Sequence, residues 1–209
     1  MTRMSRTERA ALCDLALQVG EDQPTLCGGW TVKDLVVHLL LRERSPLAAG
    51  IVVPQLAGVT ERAMERMKRG TDFAVLVERL RSGPPALPGL AKIEDRLNTV
   101  EFFVHHEDVR RAVAGWTPRR LSAAEESRLW SLIRVLGRGL TRGAPVGVVL
   151  ERSDTGERAV LKDAPATVVV RGLPSELTLF VYGRMGQARV ELDGSDADVA
   201  ALTGTDLGV

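Results

Sequence analysis

The chain has 209 residues, 28 Lys and Arg against 27 Asp and Glu, and a formal charge of +1. It is long enough for a full core in one domain or two modest ones, and its balanced charge carries no footprint of nucleic-acid binding or of an acidic membrane surface. No apolar run approaches the ~20 residues needed to span a bilayer.

The N-terminus, Met-Thr-Arg-Met-Ser-Arg-Thr-Glu, runs into a charged amphipathic helix instead of a signal-peptide core, which predicts a cytoplasmic protein. The two cysteines, Cys13 and Cys27, have no CxxC spacing and do not make a disulfide framework; both are expected as small buried hydrophobes.

Taken in order, Ser5 to Val19 predicts a first helix with Leu12, Leu15, Ala16 and Val19 on one stripe and Gly20 ending it. Asp22 to Gly29 is a connector. Thr31-x-x-Asp34 is a capping-box-like start for a second helix, placing His38 about two turns inside a segment apolar nearly all round. Pro46 to Gly58 is looser, and Thr60 to Lys68 and Asp72 to Arg81 are helical pieces interrupted by Gly70. Ser82 to Gly89 is a proline-rich loop.

Between Ile93 and Ala114 there is no Pro or Gly, and Leu97, Val100, Val104, Val109 and Ala112 recur at helical spacing. On this helix Glu101, His105 and Asp108 share the core face, while His106 is turned away by about 100°. A carboxylate and an imidazole on a buried face cost several kcal/mol unless paired or metal-bound. A Glu-x3-His pair is short enough to arise by chance, and a hydrogen-bonded core pair would satisfy it as well. His38 supplies a third donor: the chain has three histidines, and two lie on core faces of helices that a bundle brings together. Arg110-Arg111 and Arg119-Arg120 are expected on solvated faces. Asp34, Glu43 and Asp108 are equally explicable as cap, surface charge and support of a site.

Gly115-Trp-Thr-Pro118 marks a boundary, and Ser122 to Leu140 predicts another helix. Beyond Pro145 short β-prone runs at Val146 to Leu150, Ala159 to Lys162 and Thr167 to Arg171 alternate with turn chemistry. A helix at Pro174 to Gly183, a strand at Ala188 to Leu192 and a helix at Asp196 to Leu202 follow. The expected fold is α + α/β, with a helical domain over 1–115 and a linking helix and small α/β domain over 116–209.

Cys27-Gly-Gly-Trp-Thr-Val-Lys-Asp-Leu-Val-Val-His38-Leu together with Glu101-Phe-Phe-Val-His105-His-Glu-Asp108-Val-Arg-Arg-Ala resembles the DinB-like superfamily, in particular the branch containing mycothiol-dependent maleylpyruvate isomerase. The resemblance covers nearly the whole chain. It implies a DinB-like four-helix bundle followed by a C-terminal domain similar to sterol-carrier-like modules. It also implies a divalent metal, usually zinc, on His38, Glu101 and His105, with Asp108 behind them.

Three protein ligands leave a fourth position for water or substrate. The implied activity is that of a thiol transferase or isomerase using mycothiol as cosubstrate and an electrophilic small molecule as substrate. A zinc hydrolase and a non-catalytic metal-binding protein are the alternatives. In the tail, Arg184 matches a Gly-Arg position where relatives of this branch present an arginine toward the metal cleft, which implies a role in orienting substrate. Phe102-Phe103, His106-Glu107 and the long Pro-rich crossover depart from the isomerases, so the resemblance fixes the metal and thiol class better than the substrate.

Overall fold

The computed structural model describes residues 3–44, 57–84 and 91–208, with the side chains of residues 57 and 91–94 left aside. Most of the expected loose segment from Pro46 to Gly58, and most of the proline-rich loop from Ser82 to Gly89, lie outside the described residues. The chain divides into two compact units, Met1–Thr117 and Pro118–Val209.

The first unit is helical: α1 (Met4–Val19), α2 (Val32–Arg44), α3 (Ala57–Gly70), α4 (Phe73–Ser82) and α5 (Ala91–Arg110). Thr31 and Asp34 close the expected box at the head of α2: Asp34 Oδ2 accepts from the Thr31 amide at 3.0 Å, and Thr31 Oγ1 accepts from the Asp34 amide at 3.3 Å. This satisfies amides that the first turn of a helix leaves without partners. Every residue from Leu35 to Leu41 is buried. Full burial of a leucine is worth ~1.5–3 kcal/mol, so the four on α2 help offset the penalty of carrying His38 inside the bundle.

The two pieces around Gly70 are separate helices running in opposite directions. Asp72 caps α4 by accepting from the amides of Ala74 and Val75. Consecutive helices alternate in direction. Lys68 near the end of α3 pairs with Asp34 at the start of α2, whereas Arg9 and Cys13 of α1 bond the carbonyls of Leu80 and Val77 of α4 in descending order. With five helices, α1 and α5 therefore run the same way: Ser5 bonds Asp95, and one turn on Arg9 lies over the Phe102 ring. The core joins Leu12 and Ala16 of α1, Leu35 and Leu39 of α2, Leu76 and Leu80 of α4, and Phe102 of α5.

Several expectations for the helical part are corrected. Helix α5 stops at Arg110 rather than running to Ala114, because the chain turns there toward Gly115, whose φ of 78° suits glycine. Leu97 is exposed, while residues 99, 100 and 102–109 are buried and Glu101 is partly exposed. Arg111 is buried rather than solvated: its Nε donates to Glu107 Oε2 at 2.5 Å, and its guanidinium stacks on Trp116. Glu43 is no surface charge, since its side chain is 2 % exposed and takes both terminal nitrogens of Arg9.

The second unit begins with α6 (Ala123–Leu140), headed by a capping box between Ser122 and Glu125. Strands β1 (Gly147–Arg152), β2 (Arg158–Lys162), β3 (Thr167–Gly172) and β4 (Glu191–Asp193) form one mixed sheet in the order β2-β1-β3-β4, in which β1 and β3 are parallel and the outer pairs antiparallel. The expected strand at Ala188 to Leu192 is displaced toward the C-terminus, starting at Glu191 and ending at Asp193. Helix α7 (Pro174–Val181) and helix α8 (Asp196–Thr203) complete the unit.

Alternate residues Val148, Leu150, Val168 and Val170 are buried in a cluster with Trp130 and Ile133 of α6 and Leu177 and Phe180 of α7, as expected of strands covered on one face by helices. Glu126 of α6 caps α7 by accepting from the amide and hydroxyl of Ser175 at 2.8 and 2.9 Å. After α7 the chain turns through Gly183 (φ 82°), where an added Cβ would run into the Leu207 carbonyl. Among the described residues no helix is long and apolar enough to cross a membrane.

Candidate metal centre

Helices α2 and α5 pack in opposite directions, and their facing turns bring His38 next to Glu101 and His105. Glu101 Oε1 lies 3.7 Å from His38 Nε2 and 3.3 Å from His105 Nε2. One donor atom from each of the three residues lies within 4.8 Å of the others. Metal–donor bonds of ~2.0–2.1 Å at the tetrahedral angle put two donors ~3.3 Å apart, so this spacing suits a zinc-sized ion. Both imidazoles are largely buried, at 8 % and 9 % exposure, and their rings meet edge to face with centroids 5.5 Å apart.

The outer partners of His105 suit the same chemistry. Asp108 Oδ2 is 2.9 Å from His105 Nδ1, which places the proton on Nδ1 and leaves Nε2 to face Glu101 and His38. Asp108 itself is fully buried. His106, as expected, turns elsewhere: its Nδ1 meets Glu8 Oε2 at 2.8 Å, on the α1 side of α5.

Electrostatics separate the groups. Burial pushes the His38 pKa down and keeps its ring neutral. Burial would lower His105 too, but its hydrogen bonds to Asp108, Cys27 and Glu101 hold it well above the ordinary value. Burial would raise Glu101, yet His105, His38 and the charge of Arg42 hold it well below the usual carboxylate range.

Three neighbours have no part in the site as read from the sequence. Arg42, one turn beyond His38 on the same face of α2, forms an ion pair through Nε with Glu101 Oε1 at 3.1 Å and donates from Nη1 to Asn98 Oδ1 at 2.9 Å. Its i+4 spacing from His38 was the available signal. Trp30 stacks at a tilt on His38 with centroids 5.0 Å apart. Cys27, expected to be a buried hydrophobe, is half-buried and donates to Asp108 Oδ2 at 3.1 Å. No local spacing links it to a residue 81 positions away. Cys13 does match expectation, fully buried in the core.

Arg184 belongs to the second unit, in the turn after α7, where its Nη1 donates to the Tyr182 carbonyl at 2.5 Å.

Residues 5–136 match the family described as the mycothiol maleylpyruvate isomerase N-terminal domain. Among solved structures, the chain is similar to the mycothiol-dependent maleylpyruvate isomerase, with 17 % identity, a TM-score of 0.58, and coverage of 92 % of this chain and 91 % of that one. It is similar also to a histidine-to-alanine mutant of the mycothiol-dependent maleylpyruvate isomerase, at 16 % identity and a TM-score of 0.57, with the same coverage. At such identity these structures speak to the fold. A search of curated proteins finds no match. With most of its length matched by the family, and its helices and four-stranded sheet arranged as in the solved isomerase, the chain belongs to the DinB-like, mycothiol maleylpyruvate isomerase N-terminal domain family.

Proposed function

We propose that this protein is a thiol-dependent transferase or isomerase that holds a divalent metal ion, zinc, on His38, Glu101 and His105, and takes mycothiol as its thiol cosubstrate and an electrophilic small molecule as substrate. The observation that supports it best is the donor spacing: 3.3 and 3.7 Å from one carboxylate oxygen to two imidazole nitrogens, close to the edge of a zinc tetrahedron. Membership of the family supports mycothiol. A low-molecular-weight thiol of this kind works as a reagent in reducing surroundings, so the proposal carries a cytoplasmic location with it.

A divalent ion in this position would supply the positive charge that lets a thiol ionise at neutral pH. The chain's own residues do the rest. Asp108 fixes the His105 ring so that Nε2 is the presented nitrogen. The Arg42 guanidinium holds Glu101 ionised and keeps its Oε1 in place. Arg184 is proposed to orient the substrate, because a planar guanidinium grips a carboxylate through two parallel hydrogen bonds.

The test is metal content of the purified protein, followed by consumption of mycothiol when candidate electrophiles, maleylpyruvate among them, are added. Stoichiometric zinc with thiol-dependent turnover is the expected result. Zinc without thiol consumption would make the protein a metal binder only, and ester hydrolysis without thiol would make it a zinc hydrolase.

A further inference from the structure

The connector between α1 and α2, which the sequence presents as a mere link, is a closed loop tied to α5. Thr25 N and Thr25 Oγ1 both donate to the Trp30 carbonyl, at 3.0 and 2.9 Å, and Trp30 N returns to the Cys27 carbonyl at 2.7 Å. Thr25 Oγ1 also accepts from Cys27 N at 3.2 Å. Gly28 and Gly29 make the reversal with positive φ angles of 23° and 82°. Leu26 N then donates to the main-chain oxygen of Asp108 at 3.1 Å. The loop therefore carries Cys27 to the side chain of Asp108 and Trp30 to the ring of His38.

We propose that Cys27 is a positioning residue of the metal centre: its thiol anchors the Asp108 carboxylate, which in turn fixes the His105 ring with Nε2 toward Glu101. This deepens the metal reading above and rests on it for its purpose, although the anchoring itself does not depend on an ion. One oxygen, Asp108 Oδ2, takes both contacts, from Cys27 Sγ at 3.1 Å and from His105 Nδ1 at 2.9 Å. A short carboxylate can rotate about its stem, and each contact on a given oxygen restricts that rotation. A second partner on the same oxygen, reached from a loop closed by its own hydrogen bonds, removes that freedom.

Cys27, His105 Nδ1 and Asp108 also converge closely enough to suggest a ligand set of their own. Their separations are hydrogen-bond lengths, and they use the His105 nitrogen opposite the one that faces Glu101, so the group acts behind the metal position. Cys13 shows the contrast: it sits wholly within the apolar core and reaches only a backbone carbonyl, at 3.7 Å.

Cys27→Ala removes the donor and Cys27→Ser replaces it with a hydroxyl. Zinc affinity, measured by competition with a chromophoric chelator, is expected to fall about 10-fold or more in Cys27→Ala, the range for lost outer partners of metal ligands, and to recover to within a few-fold of the parent in Cys27→Ser. Asp108→Ala combined with Cys27→Ala should cost no more than Asp108→Ala alone, because the thiol acts through that carboxylate. In parallel, NMR of the metal-free proteins should show the His105 Nδ1 proton hydrogen-bonded and slow to exchange with solvent in the parent, and faster to exchange in Cys27→Ala.

Equal loss of zinc in the Ala and Ser variants would make Cys27 a ligand and overturn the proposal, as would unchanged exchange of the His105 Nδ1 proton in Cys27→Ala. If the parent bound no zinc while that exchange still quickened in Cys27→Ala, the metal reading would fail and the anchoring of His105 by Cys27 would stand.

Discussion

His105 Nδ1 and Asp108 Oδ2 sit 2.9 Å apart, three residues along one helix, and the second of them is shut off from solvent entirely. The pair orients the ring that faces Glu101, and it also determines where a proton resides when the metal position is not filled. Most of the testable behaviour of the site follows from that arrangement.

Removing a ligand should cost more than removing an outer partner. His38→Ala, Glu101→Ala and His105→Ala are each expected to lower zinc affinity beyond the ~10–100-fold typical of an outer-shell loss, whereas His106→Ala, whose ring pairs with Glu8, should retain stoichiometric metal. Metal analysis after dialysis reads the result. Full stoichiometry in both His38→Ala and His105→Ala would return the two rings to the role of hydrogen-bonded core residues.

Protons should compete with the metal. With the His105 pKa held well above its ordinary 6.5, the metal-free ring is charged at pH 7, so metal binding must release that proton. Affinity is therefore expected to rise with pH through neutrality by up to ~tenfold per unit, and titration calorimetry at pH 7 in buffers of different ionisation heat should report about one proton released. No dependence on buffer would contradict the assignment.

The same shifts set the stability of the metal-free chain. The raised His105 contributes fully below about 6.5 and its contribution fades as pH climbs through the raised value. The depressed Glu101 contributes above its ordinary 4.5 and its contribution is lost only in strong acid. The depressed His38 works in the opposite sense to His105, its contribution being lost as pH falls below 6.5. Thermal melts of the metal-free protein should therefore show the site's contribution greatest near pH 6.5, with Tm declining as pH rises into the alkaline range and as it falls into acid.

The two thiols should behave differently. Burial pushes Cys13 up to about 11, so it should resist alkylation at pH 8, while half-buried Cys27 is the one modified in the native protein. Peptide mapping after brief iodoacetamide treatment checks this, and fast labelling of Cys13 in the folded chain would show that the α1 packing opens readily.

Arg184→Ala is expected to keep its metal and its fold while thiol-dependent turnover drops, by ~10-fold or more if the guanidinium orients a substrate carboxylate. Steady-state kinetics beside metal analysis make the comparison. Unchanged kcat/KM would leave Arg184 as a turn residue bonded to Tyr182.

Much of this protein was written in local spacing. The 3.6-residue recurrence of apolar positions gave the helices, and i, i+3 and i, i+4 steps put Glu101, His105 and Asp108 on one face because helix geometry alone decides which residues of a helix are neighbours. The Thr31–Asp34 box and the turn residues beyond Pro145 likewise act within a few positions. What tertiary structure decided is pairing across the fold: Cys27 with Asp108, Trp30 with His38, Glu8 with His106, and Glu43 with Arg9. A charged residue flanked by polar neighbours looks the same in sequence whether it meets water or a partner from another helix. Only the packing of α1, α2 and α5 determines which, since burying such a group without its partner would cost more than the fold could recover.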